Sequence, residues 1–435
     1  MGTARQTAYD LLLKMEIMGA YSNIALDEAL EKSGLSGKDR AFAAALFYGV
    51  LERKMTLDYL IRAHSKTEYD KLDKRAVQLL RLGLYQLLYM TSVPESAAVN
   101  ETVKLCPHRL KGFVNAVLRA FIRGGRKISF DGLDENGRLS VEYSCPKWLV
   151  KMWRSSYGDE CTLAMLKSSF GRPPLYAKVN TLKCTADSLI ERLAAENIPA
   201  VRNPLLSDCI EIGKISGIER CKAYHEGLFH VQDISSQLCC KIVAPKAGET
   251  VLDICAAPGG KSFSMAEAME NKGRLLSFDL YEARTELIKS GAKRLGLDVI
   301  TAGVNDALLL NEAMPKADRV LCDVVCSGLG VIRRKPEIKY KPKAEIAGIP
   351  EIQRKILDTS KNYVRAGGLL VYSTCTLNPE ENEAVAKDFL ANNSDFTAEP
   401  ISPDIPGGEG GWYRSFFPHI TGGDGFFAAS FRRKQ

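Results

Sequence analysis

Thr250-Val251-Leu252-Asp253-Ile254-Cys255-Ala256-Ala257-Pro258-Gly259-Gly260-Lys261 passes from a short apolar run into a loop of small residues ending in two glycines and a lysine. The run from Thr250 to Ile254 reads as a buried strand. Small residues and glycines let backbone approach a ligand closely, and the helix that follows offers its first amides to a carboxylate or phosphate. The three-glycine dinucleotide fingerprint is absent.

Working outward, Arg274 to Asp279, Val299 to Ala302, Arg319 to Asp323 and Leu369 to Ser373 read as further strands, Glu282 to Leu295 and Glu380 to Ala391 as helices, and Gly425 to Phe431 as a closing strand. The alternation predicts a doubly wound, mostly parallel, Rossmann-like sheet over residues 241–435, with its site beyond the carboxyl ends of the strands. Asp279 ends the second strand, where a carboxylate accepts both hydroxyls of an adenosine ribose, and Asp306, after the third, can face an adenine amino group. Taken singly, each aspartate is better read as a cap or turn residue than as a functional one. In this order they outline a site for an adenosine cofactor.

Upstream, apolar residues recur at helical spacing, as in Val77, Leu80, Leu84, Leu87 and Leu88, with breaks at Ser33-Gly34, Ser36-Gly37, Val93-Pro94 and Cys106-Pro107. Residues 1–130 are therefore expected to form an all-α bundle. Asp131 to Gly137 reads as a linker, and residues 140–240 mix helical and strand signals (Trp148 to Trp153, Leu175 to Asn180, Ala186 to Glu196, Ile210 to Ile212, Leu228 to Gln232), which predicts a small α+β middle domain of RRM or ferredoxin-like type.

The chain has 435 residues, 46% hydrophobic and 26% charged, a balance that excludes disordered, fibrous and membrane classes. Arg81 interrupts the long apolar stretch from Leu79 to Met90, so no bilayer span is expected. Asp10, Lys14 and Glu16 break any signal-peptide core near the N-terminus. Twelve irregularly spaced cysteines without a Cys-x-x-Cys pair, and five scattered histidines, point to a reducing cytosol, with neither a disulfide framework nor a metal site. The net charge of +7 resides wholly in residues 1–130, with 20 basic and 13 acidic side chains, against 39 and 39 in residues 131–435.

Two cationic stretches stand out. Residues 102–130 hold Lys104, Arg109, Lys111, Arg119, Arg123, Arg126 and Lys127 and no acidic residue; the second stretch holds Arg333, Arg334, Lys335 and Lys339 beside Tyr340. Solvated polar surface is one reading. Phosphate contacts and base stacking are the other, with Arg109, Lys111, Arg119, Arg123, Arg333, Arg334, Lys335 and Lys339 as candidate RNA contacts.

Asp253–Lys261 (DICAAPGGK), Cys322–Tyr340 (CDVVCSGLGVIRRKPEIKY) and Tyr372–Glu383 (YSTCTLNPEENE) together resemble the S-adenosylmethionine-dependent RNA 5-methylcytosine methyltransferases. The resemblance extends through VNTLK (Val179–Lys183) and GLFHVQDISSQL (Gly227–Leu238), and FYGVLERKMTLDYLI (Phe47–Ile61) with GFVNAVLRAFIR (Gly112–Arg123) looks like a NusB domain. The combination is similar to the Sun/Fmu type of ribosomal RNA small-subunit methyltransferase, which implies cytosine 967 of 16S ribosomal RNA as target. One departure is Val325, where the family usually has proline before the strand-four cysteine.

The resemblance implies that Cys375 is the nucleophile adding to carbon 6 of cytosine and that Cys326 assists product release. Asp323 would hydrogen-bond the ring at nitrogen 3 or its amino group, and Lys261 would lower the thiolate pKa or hold an anionic group. Cys255, Ala256, Ala257, Pro258, Gly259, Gly260, Lys261, Asp279, Asp306 and Asp323 are the expected cofactor contacts. The expected partner is 16S ribosomal RNA or a small-subunit assembly intermediate, met by a cytoplasmic monomer with its target base flipped or single-stranded. A non-catalytic NusB-like RNA scaffold and a methyltransferase for another ribosomal or transfer RNA cytosine are the alternatives. A DNA cytosine methyltransferase fits less well, because it takes its nucleophile from the strand-four position.

Overall fold

Helical spacing in the first part of the chain resolves, in the computed structural model, into helices Ala4–Met18, Ser22–Ser33, Gly37–Glu52, Lys54–His64, Lys74–Tyr89, Glu95–Lys104 and Lys111–Arg123. The structure describes residues 3–18, 22–213, 215, 217–407 and 411–435. The breaks fall where the Ser-Gly and Pro residues predicted them. The chain up to Gly171, together with Ile332–Lys341, forms one compact unit, and Arg172–Val331 with Pro342–Gln435 forms the other.

The helical unit packs Leu46, Phe47, Leu57, Leu79, Leu80, Leu84, Leu118 and Phe121 into a core closed to solvent. Arg81, which interrupts the apolar run in the sequence, is buried here, donating to Asp58 through two nitrogens at 2.6 and 2.9 Å and to Glu16 at 3.0 Å. The two carboxylates satisfy the guanidinium fork, which makes its burial tolerable. The stretch predicted as a linker is partly helical: the Asp134 carboxylate accepts the Gly137 amide and caps helix Glu135–Glu142. Helix Lys147–Ser168, read from sequence as part of the middle domain, belongs to this unit.

In the second unit, an antiparallel sheet of β1 (Leu175–Val179), β2 (Ala200–Arg202), β3 (Cys209–Ile212) and β4 (Phe229–Val231) has the order β2-β3-β1-β4. Helix Ala186–Ala195 packs its Leu189 and Leu193 into the core with Ala177, Val179 and Ile210, and a Thr185/Ser188 capping box fixes its start. This is the expected α+β element. The following eight-stranded sheet contains β5 (Thr250–Asp253), β6 (Arg274–Asp279), β7 (Ile300–Val304), β8 (Ala317–Asp323), β9 (Val364–Thr374), β10 (Phe396–Ala398), β11 (Tyr413–Phe416) and β12 (Phe426–Arg433). Its order is β10-β12-β9-β8-β5-β6-β7, with β11 on β12; β5 to β9 run parallel, and β12 lies antiparallel to β9. No described helix is long and apolar enough to cross a membrane.

The chain leaves β8 and contributes Ile332–Lys341 to the helical unit, which corrects the reading of Lys339 as an RNA contact. Lys339 is 1% exposed, and its ammonium donates to the Glu52 carbonyl at 2.8 Å, at the end of helix Gly37–Glu52. Tyr340, expected to stack on a base, instead donates its hydroxyl to the Leu51 carbonyl at 2.7 Å. Both side chains thus satisfy the orphan carbonyls of a helix terminus. Burial without a paired carboxylate lowers the Lys339 ammonium to about 8.

Lys339→Met is expected to stabilise the protein below pH 8 by about 1–3 kcal/mol, since it removes a desolvated charge while Tyr340 still covers the helix end. The penalty in the wild type is complete below the native value of about 8 and fades toward the unfolded value of 10.5, so wild-type stability rises with pH across that window. Thermal melts of both proteins from pH 6 to 10.5 check this through a gap that narrows above pH 8.

Candidate active site

The chain runs from β5 to β6 and β7 on one side and crosses to β8 and β9 on the other. The carboxyl ends of β5 and β8 are therefore the switch point at which open α/β sheets bind ligands. The loop Ile254–Gly259 hangs there between two neighbours: the Ile254 amide donates to the Leu321 carbonyl at 3.0 Å, and the Ala256 amide to the Phe278 carbonyl at 2.7 Å. Gly259 has φ +111°, and a Cβ there would strike the Phe263 ring. Glycine is needed for both reasons. Helix Gly260–Ala268 then begins, with its first amides directed at the crevice end.

Asp253, at the end of β5, is fully buried and accepts the Ser262 hydroxyl at 2.6 Å, while its other oxygen has no partner. Burial pushes its carboxyl up to about 7, against the pull of the Ser262 hydrogen bond. Asp279 is 4% exposed; it accepts the Ala257 amide at 3.3 Å and pairs with Arg284 at 3.1 Å. Arg284 also donates to the Ala257 carbonyl at 3.0 Å. Asp279 therefore braces the loop and presents a carboxylate at the end of β6. Asp306 accepts the Leu308 amide at 2.9 Å, the turn role that its isolated reading allowed.

Cys326, three residues beyond β8, and Cys375, one beyond β9, meet with their sulfur atoms 3.2 Å apart. The hydrogen bond to Cys375 and then burial hold the Cys326 thiol well above its ordinary value. Either sulfur can donate this hydrogen bond, and the raised Cys326 thiol resists losing its proton beside the other. Asp323 accepts Lys261 at 2.7 Å on one oxygen and the Ser373 hydroxyl at 2.8 Å on the other. Burial alone would lower the Lys261 ammonium, but the Asp323 carboxylate outweighs it and raises the value. Lys261 also lies 5.0 Å from the centre of the Phe426 ring. The sequence did not single out Ser373, Arg284 or Phe426; only Ser373, two residues before Cys375, carried a signal.

Backbone contact binds the two cysteine loops. The Gly330 amide donates to the Cys375 carbonyl at 3.1 Å, and the Gly425 amide to the Gly330 carbonyl at 2.8 Å. A Cβ on Gly330 would overlap the Gly425 carbonyl.

The expected RNA contacts lie in the helical unit. Lys111, Arg119 and Arg123 are exposed on helix Lys111–Arg123. Other cations of that stretch are paired: Arg109 with Asp73 at 2.9 Å and Arg126 with Glu95 at 3.0 Å, both distant in sequence, and Lys104 with Glu101 of its own helix at 2.5 Å. Arg333, Arg334 and Lys335 are half-buried, Arg333 donating to the Gly171 carbonyl at 3.4 Å, and Lys339 is withdrawn from solvent.

A Rossmann-like sheet with this loop, Asp279 at the end of β6 and two thiols at neighbouring strand ends defines an S-adenosylmethionine-dependent methyltransferase. The 16S rRNA methyltransferase RsmB/F model matches residues 240–432, the NusB family model residues 2–123, and the RsmF/B-like ferredoxin-like domain residues 145–219. The chain is 38% identical over 451 residues to the Bacillus subtilis (strain 168) protein called "Probable ribosomal RNA small subunit methyltransferase B", covering 99% of each. It is 32% identical over 408 residues to the ribosomal RNA small subunit methyltransferase B of Escherichia coli O1:K1 / APEC, covering 92% of each. The solved structure of PH0851 superposes with a TM-score of 0.82 at 26% identity, covering 99% of this chain and 98% of the other. The chain belongs to the ribosomal RNA small subunit methyltransferase B family.

Gly330→Ala is expected to lower methyl transfer about 10²-fold, because the added carbon forces apart the two backbones that carry the cysteines. Calorimetric S-adenosylmethionine binding should stay within about twofold of the wild type, because the β5 loop is untouched.

Proposed function

We propose that this protein methylates carbon 5 of a cytosine in small-subunit ribosomal RNA, cytosine 967 of the 16S molecule, through a covalent link to Cys375. The observation that carries this reading is the thiol pair at 3.2 Å, with one member held protonated beside the other.

The residues of the β5 loop suit S-adenosylmethionine. Asp279 has a nearly buried carboxylate for the ribose hydroxyls, the backbone of Cys255, Ala256, Ala257, Pro258, Gly259 and Gly260 lines the approach, and the following helix N-terminus favours the amino-acid carboxylate. When bound, the cofactor supplies an electrophilic methyl group. Asp306 and Asp323 complete the set at the ends of β7 and β8. Lys261, paired with Asp323, orients that carboxylate toward the base rather than acting on either thiol directly.

Carbon 5 of cytosine is a weak nucleophile until sulfur adds to carbon 6. Cys375 forms this C–S bond as a thiolate, and Asp323 hydrogen-bonds the ring to stabilise the electron-rich adduct. Once Cys375 is a neutral thioether, it no longer raises the Cys326 value through hydrogen bonding and charge. Cys326 then loses its proton to solvent more readily and becomes a base. After methyl transfer it takes the proton from carbon 5, the C5=C6 bond re-forms, and the C6–S bond breaks to return Cys375 as thiolate. Exposed Lys111, Arg119 and Arg123 supply phosphate affinity. The working form is a cytoplasmic monomer acting on 16S ribosomal RNA or a small-subunit assembly intermediate.

With 16S ribosomal RNA and methyl-labelled cofactor, Cys375→Ala is expected to abolish transfer, and normal activity in that variant would remove Cys375 as nucleophile. Cys326→Ala should instead accumulate a covalent protein–RNA complex on a denaturing gel; its absence under turnover conditions would end the release role. Mapping the modified base decides cytosine 967 against other cytosines.

Asp279→Asn is expected to weaken S-adenosylmethionine binding roughly tenfold, the scale of one hydrogen bond to a charged group. Calorimetry on the folded variant is the check, and unchanged affinity would remove Asp279 from the cofactor site.

A further inference from the structure

The turn after β9 holds two buried polar residues, Glu381 and Asn382, that the chemistry above leaves unused. Glu381 is closed to solvent, and no cation pairs with it among the described residues. Three N–H groups converge on its carboxylate instead: the Ser327 amide at 2.8 Å, the Gln353 side chain at 3.1 Å and the Asn378 side chain at 2.8 Å. A buried carboxylate is costly unless its lone pairs are filled in this way.

These bonds lead directly to Cys326. Gln353, on helix Ile349–Ser360, uses its other N–H on the Val325 carbonyl at 3.0 Å. The peptide groups on both sides of Cys326 are thus gripped, Val325 by Gln353 and Ser327 by Glu381. Asn382 does the same for Cys375: its oxygen accepts the Thr374 hydroxyl at 2.6 Å, and its nitrogen donates to the Thr376 carbonyl at 2.9 Å. A contact of 2.8 Å between the hydroxyls of Ser327 and Thr376 ties the two grips together.

We infer that Glu381 and Asn382 are the positioning residues of the thiol pair, Glu381 with Gln353 aiming Cys326 for product release and Asn382 aiming Cys375 for attack. This rests on the proposed roles of the two cysteines. The arrangement also answers for Val325: its carbonyl is anchored from outside the loop, so the loop does not depend on a proline ring for its shape. The negative charge of Glu381 further raises the Cys326 value, which strengthens that group as a base.

The test uses the whole protein with 16S ribosomal RNA and methyl-labelled S-adenosylmethionine, reading released 5-methylcytosine and covalent adduct separately. Glu381→Gln, which places an amide among converging donors, is expected to slow release roughly tenfold or more while adduct accumulates as in Cys326→Ala. Gln353→Leu, which keeps the carboxylate, should do the same. In a Cys326→Ala background, Asn382→Ala should cut adduct formation roughly tenfold or more with cofactor binding unchanged. Asn382→Asp, which keeps the acceptor for Thr374, should fall between.

If Cys326→Ala traps no adduct, the covalent reading fails and this inference with it. If Cys326→Ala traps adduct but Glu381→Gln and Gln353→Leu turn over normally, or lose activity without trapping it, the covalent reading stands and the role of Glu381 is overturned. Adduct forming at the Cys326→Ala rate in both Asn382 variants overturns the role of Asn382.

Discussion

Cys326 and Cys375 stand with their sulfur atoms 3.2 Å apart, and a pair so close carries one negative charge far more easily than two. One proton can be shared between the two sulfur atoms, so the state of either thiol depends on the other. The surrounding structure serves this constraint. Two neighbouring parallel strands deliver the cysteines to the same sheet edge, and Gly330 allows the backbone of one loop to press against the other. Side-chain hydrogen bonds on both flanks of each cysteine limit how far either sulfur can drift.

Buried charge elsewhere follows the same logic with different outcomes. Arg81 and Lys339 both lie inside the helical unit, yet two carboxylates hold Arg81 above its ordinary value, whereas Lys339, bonded to a carbonyl and lying near the Phe170 ring, is lowered by burial to about 8. Asp323 and Lys261 neutralise one another beside the crevice, but Asp253, a few residues earlier in the chain, rises to about 7 with one hydroxyl as its main support. Burial sets the cost in each case, and the identity of the nearest partner decides which protonation state persists.

Much of this molecule was legible without coordinates. The strands from Thr250 to Asp323 fell within a residue or two of their expected bounds, because short apolar runs leave little ambiguity when glycines and helices separate them. The β5 loop was legible because close backbone approach restricts the residue types allowed there, and the two cysteines were legible through the motifs that resemble a known family. Asp134 was misread within a Gly/Asp-rich run, since a helix cap and a linker share the same composition. Charge was the least legible property. Sequence distance concealed Asp73 and Glu95, which neutralise Arg109 and Arg126, and a cation-rich strip gave no sign that Lys339 would end a helix from inside the fold.

The sequence by itself determined the fold class, the order of the domains and the glycine-rich loop after β5, since periodicity and glycine placement are local properties, while the two thiols stood out only through the family resemblance of the motifs around them. Only the tertiary structure decided that the two thiols meet, which cations remain at the surface and what holds the cysteines in place. Those outcomes depend on distances between groups far apart in the chain: Ser327 to Glu381, Arg109 to Asp73, Lys339 to Glu52. Electrostatic and hydrogen-bond energies fall steeply with such distances, and no linear pattern of residues encodes them directly.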